Sequence, residues 1–117
     1  MEQLIKSKAR VKATGEVFTP IHIVNKMLEL VPAEMYASPV STWMEPACGT
    51  GNFLVKILKR KLSYGAGQTH ALRCLPSLYG VDIAMDNIHE CRAALERLVS
   101  LMVDDDPTFL SQVNDIL

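Results

Sequence analysis

One stretch constrains this chain more than any other: Trp43-Met44-Glu45-Pro46-Ala47-Cys48-Gly49-Thr50-Gly51-Asn52-Phe53-Leu54-Val55. A short apolar approach ends in Glu45 and Pro46, a Gly-x-Gly turn follows, and Phe53, Leu54, Ile57 and Leu58 then recur at helical spacing. A buried parallel strand passes to a helix through a tight turn in this way. Two glycines so close together permit positive φ and keep side chains away from anything bound against the backbone. Such a turn sits at the carboxyl end of a strand, where open α/β sheets take their ligands. A P-loop would continue with Gly-Lys-Ser/Thr, whereas Asn52 and Phe53 follow Gly51. A dinucleotide fingerprint would place glycine or alanine where Leu54 stands. Neither phosphate-binding pattern is met.

The rest of the chain arranges itself around this turn. With 117 residues, 49% hydrophobic and 21% charged, it has the size and balance of one globular domain. A net charge of −1 supplies no overall basic field, so any contact with nucleic acid must come from a local patch. No apolar run is long enough for a membrane span, and the charged amino terminus lacks a signal-peptide core. Three irregularly spaced cysteines indicate free thiols and a cytoplasmic setting. Residues 1–13 form a basic opening with Lys6, Lys8, Arg10 and Lys12, read as a short helix or a flexible arm. Its cations suit either phosphate contact or a solvated terminus. From residue 14 the main domain begins.

Thr19 can cap a helix whose first residue is Pro20, with apolar positions Ile23, Val24, Met27, Leu28, Leu30 and Val31 before Pro32 ends it. The helix after the glycine turn is expected over Gly51 or Asn52 to about Leu62, with Lys56, Lys59, Arg60 and Lys61 on its exposed side. Residues 63–77 read as a loop holding at most a short helical turn. A second strand, Leu78 to Ile83, carries Asp82 near its end, where a carboxylate can accept hydrogen bonds from both hydroxyls of a ribose. A helix from Asp86 to Met102 follows, its face traced by Ile88, Cys91, Ala94, Leu95, Leu98 and Leu101. Asp104 to Pro107 break it, and Phe109 to Val113 read as a third strand. His70 with Cys74, and His89 with Cys91, fit no zinc spacing, so no metal site is assigned. Cys48 has no histidine beside it and reads as a small residue shaping the turn.

Glu45 through Leu54 resemble the first motif of the S-adenosylmethionine-dependent adenine-N6 DNA methyltransferases of restriction-modification type, commonly Asp-Pro-Ala-Cys-Gly-Ser/Thr-Gly-x-Phe-Leu; here Glu45 replaces the aspartate. A Gly-x-x-Phe-Thr-Pro segment like Gly15 to Pro20 precedes that motif in the same family. The resemblance implies a Rossmann-like methyltransferase fold, α/β with a partial parallel sheet and flanking helices. It also implies S-adenosylmethionine as cofactor: Thr19 near the methionine end, Glu45, Pro46, Ala47, Gly49 and Gly51 around the donor, Asp82 on the ribose and Ile83 against the adenine. By the same resemblance Asn114 to Leu117 form a third motif, with Asp115 facing the adenine amino group. The acceptor motif of the family, Asn/Asp-Pro-Pro-Tyr/Phe, does not occur, so no catalytic residue is assigned. The chain then reads as the amino-terminal cofactor-binding part of such an enzyme, reaching DNA through a further part or a partner chain. A non-catalytic cofactor-binding or interaction subunit is the alternative, as is a fragment of an RNA or protein-glutamine methyltransferase. In the family's sheet the strand ending at Met44 lies between the second and fourth strands. Without the fourth its edge is open, which invites self-association or a partner subunit.

Overall fold

The computed structural model describes residues 2–104 and 106–117; Met1 of the basic opening and Asp105 of the expected helix break lie outside them. Two strands, β1 (Trp43–Glu45) and β2 (Leu78–Gly80), pair in parallel with Trp43 opposite Leu78, Met44 opposite Tyr79 and Glu45 opposite Gly80. Pairing runs past the strand ends, because Val81 N donates to Glu45 O at 3.0 Å and Cys48 N to Val81 O at 2.9 Å. The glycine turn is thereby fastened to the segment that carries Asp82. Among the described residues seven helices stand around this small sheet: α1 (Lys8–Thr14), α2 (Ile21–Glu29), α3 (Ala33–Ala37), α4 (Asn52–Leu62), α5 (Gly67–Cys74), α6 (Met85–Met102) and α7 (Pro107–Ile116). The class is mixed α/β, mostly helical. No helix among the described residues is long and apolar enough to cross a membrane.

The central helix is α4. It packs on α2, α3, α5 and α6, burying Leu54, Ile57, Leu58 and Leu62. Its start agrees with the sequence reading: Gly51, at φ +99°, sits in the left-handed region and hands the chain into the helix at Asn52. Lys61 departs from that reading. Expected on the exposed side, it is 0% exposed, and its ammonium donates to Ser41 O at 2.7 Å, Ser77 Oγ at 2.6 Å and Ser41 Oγ at 3.3 Å. Those three acceptors satisfy its three protons, which makes burial tolerable. The same bonds tie the approach to β1 to the approach to β2.

Four further elements differ from the sequence reading. Residues 63–77 hold α5 and a 3-10 turn, Leu75–Ser77, because Ala71, Cys74 and Leu75 are buried against the core. Glycine at 65 and 67 had marked this stretch as loop. Phe109 to Val113 lie in α7, not in a strand: Asp106 caps it by accepting from Phe109 N at 2.8 Å, Pro107 takes the first position, and Phe109 and Val113 are buried at a spacing of four. The buried line of α6 runs through Asn87, Cys91, Leu95 and Val99, while Leu101 is 85% exposed. The α2 helix starts at Ile21, with Pro20 in extended conformation as its cap, and Glu2 Oε1 accepts from Ile21 N at 2.7 Å. Thr19 therefore does not cap α2; its carbonyl accepts from Asn52 Nδ2 at 3.1 Å, joining this segment to the start of α4.

Candidate ligand-binding cleft

At the carboxyl ends of β1 and β2 three segments meet around a cleft of about 340 Å³. One wall is Thr14 to Phe18, the second is Pro46, Ala47 and Gly49, and the third is Asp82 with Ile83. Each wall is set by local chemistry. Gly15, at φ +71°, ends α1 and turns the chain back across the sheet ends. Phe18 N donates to Leu4 O at 2.7 Å, fixing the returning strand of chain. Gly49, at φ +54°, lies so close to the Phe18 ring that an added Cβ would come within 3.1 Å of it. Glu45 does not face the cleft; its Oε1 accepts from Ala47 N at 3.0 Å and shapes the first bend of the turn. Gly51 is buried beneath, where a Cβ would stand 3.0 Å from Cys91 Sγ.

Asp82 is the polar centre. Its Oδ2 accepts from Gly49 N at 3.0 Å, and its Oδ1 accepts from Ala84 N at 2.7 Å and from Asn87 Nδ2 at 3.3 Å. A carboxylate held by backbone amides is oriented before any ligand arrives. Ile83 beside it is 85% exposed, a bare apolar side chain at the cleft mouth. Behind Asp82 lies a charged cluster that the sequence reading did not find. Arg10 grips Glu16 twice, Nε to Oε1 at 2.8 Å and a terminal nitrogen to Oε2 at 2.9 Å, and also reaches Asp86. Lys6 pairs with Asp86 at 2.7 Å and Glu90 at 2.8 Å. The bonds from Arg10 and then Lys6 hold the Asp86 carboxyl well below the usual range. Of the two sequence readings of the basic opening, the short helix is therefore observed, docked on α6 with two of its cations already paired.

The cleft brings together Pro46, Ala47, Gly49, Asp82 and Ile83 from the expected set. Thr19, next in the chain after Phe18, is not among the lining residues. Asp115 is exposed on α7 and is not among the lining residues. Glu16, Val17 and Phe18 line the cleft without having been singled out, although Phe18 belongs to the Gly-x-x-Phe-Thr-Pro pattern. Cys48 is buried behind the turn, and burial followed by the nearby Asp82 charge pushes its thiol up. Cys91 is pushed up to about 12 by burial first and Cys48 second, so neither is a nucleophile. No group of three potential metal ligands occurs among the described residues.

A comparison with protein families matches residues 1–95 to the model described as N-6 DNA methylase. No curated protein and no solved structure matches the chain. The family match takes in every residue lining the cleft and most of the sequence. The chain belongs to the N-6 DNA methylase family.

Proposed function

We propose that the cleft binds S-adenosylmethionine as part of an adenine-N6 methyltransferase acting on DNA. One observation carries the reading: three separated segments, Gly15 to Phe18, Pro46 to Gly49 and Asp82 with Ile83, converge on one cleft at the strand ends. The family generally uses this cofactor, and the residues present suit it. Asp82 retains acceptor capacity for a ribose hydroxyl, while Ile83, Val17 and Pro46 offer apolar surface to a flat heterocycle. The close approach of backbone at Ala47 and Gly49 leaves room for the methionine portion, with Thr19 at that end. When bound, the cofactor supplies an electrophilic methyl group; the chain's own contribution is to hold and orient it. A partner or further segment would bring the adenine, since Asn-Pro-Pro-Tyr is not in this sequence. The outer edge of β1, unpaired among the described residues, favours a second component over a self-sufficient catalyst.

Calorimetric titration tests the reading. The wild-type chain is expected to bind S-adenosylmethionine, and Asp82→Ala to weaken binding at least about tenfold, or ~1.4 kcal/mol. Unchanged affinity in a folded Asp82→Ala chain would remove Asp82 from the site.

A further inference from the structure

We infer that Asn87 and Glu16 are positioning residues that present Asp82 to a ribose, with Arg10 holding Glu16 in turn; the inference rests on the proposed cofactor site. Asn87 is 0% exposed, on the first turn of α6. Its Nδ2 donates to Glu16 Oε2 at 2.7 Å and to Asp82 Oδ1 at 3.3 Å, so one amide bridges two carboxylates. Its orientation is dictated: a flipped amide would set oxygen against both carboxylates. The orientation leaves Oδ1 buried with no partner among the described residues. Burying such an oxygen is unfavourable, so packing alone does not account for asparagine at this position. What it supplies is the bridge.

The charges explain why a bridge is needed. Glu16 is neutralised by Arg10, but Asp82 has no cation partner among the described residues. Without the amide, two carboxylates would face each other and Asp82 would turn away. The acceptor count adds a second role. A carboxylate offers about four acceptor positions, and Gly49, Ala84 and Asn87 occupy three of those on Asp82. A ribose diol asks for two. The bond from Asn87 is the longest of the three, so it is the one a second hydroxyl displaces, after which Nδ2 stays on Glu16. Asn87 thus holds the place of a ribose hydroxyl until the ligand comes. Neither Arg10 nor Asn87 lines the cleft, so both act through their neighbours.

The test compares S-adenosylhomocysteine with its 2′,3′-dideoxyribose analogue by calorimetry. Asn87→Leu frees that acceptor position but leaves Asp82 facing Glu16 without a bridge, so it is expected to weaken the ribose ligand about tenfold and to leave the dideoxy analogue within about twofold. Arg10→Gln, on a partly exposed side chain, should show the same selectivity at roughly threefold and serves if Asn87→Leu fails to fold. Equal weakening of both ligands would mean a general structural defect and overturn the inference, as would no change in either. A wild-type chain that binds neither ligand would overturn the cofactor site and this inference together. A wild type that binds both ligands equally would remove Asp82 from the ribose.

Discussion

Lys61 shows what a residue's type conceals. In the chain it stands beside Lys59 and Arg60, and three cations at a helix carboxyl end need no further reason to be there. Its spacing of seven, four and three from Leu54, Ile57 and Leu58 puts it on the buried face of α4, but the acceptors that make burial tolerable, on Ser41 and Ser77, lie 20 and 16 residues away. Asp82 is the opposite case: its place after a short apolar strand was enough to find it. Asn87 was legible as a first-turn residue of α6, but its pairing with Glu16 spans 71 positions. Burial lowers the Lys61 ammonium below its ordinary 10.5, with the Cys74 thiol the facing group that opposes the shift. Between that lowered value and 10.5 the unfolded chain holds the proton more firmly than the folded chain. Stability from this group therefore rises with pH across that window. Urea unfolding of wild type and Lys61→Met should show the wild type gaining on the variant as the pH is raised toward 10.5. A gap that stays constant would show Lys61 to be no more perturbed than a surface lysine.

At the scale of elements, the passage from β1 through the glycine turn into α4 was legible because it is local. Apolar residues, two glycines and a helical repeat sit side by side within a dozen or so positions. The bounds of α5 and α7 were not, since each is decided by what it packs against. Phe109 and Val113 serve either a strand or a helix until Asp106 and Pro107 are seen to start the latter. The α6 face kept Cys91 and Leu95 but changed at its ends for the same reason: Leu101 counts as apolar in sequence and has nothing to cover it. The turn itself yields a direct test. Gly51 combines φ +99° with a virtual Cβ 3.0 Å from Cys91 Sγ and 3.5 Å from Cys91 Cα. Gly51→Ala should destabilise the chain by roughly 1–3 kcal/mol, through left-handed strain and displacement of α6. A thermal midpoint equal to wild type would mean the turn rearranges freely, and with it the cleft.

At the scale of the whole molecule, β1 pairs with β2 on one side only among the described residues. Beside that edge Met44 is 70% exposed and its cross-strand neighbour Tyr79 is also exposed. Backbone groups next to apolar side chains favour association. Light scattering should find the purified chain self-associating, and radiolabelled transfer should find no methylation of adenine in DNA by the chain alone. A monodisperse monomer that methylates DNA unaided would place the acceptor chemistry within these 117 residues. The central claim, that the cleft between Gly15 to Phe18, Pro46 to Gly49 and Asp82 with Ile83 holds S-adenosylmethionine, is tested most directly by amide chemical shifts in a ¹⁵N-labelled chain during titration. Binding in the cleft should give saturable shifts concentrated at Ala47, Gly49, Asp82 and Ile83, with Glu16 and Phe18 following. Saturable shifts elsewhere with these amides unmoved, or no shifts at all, would contradict it.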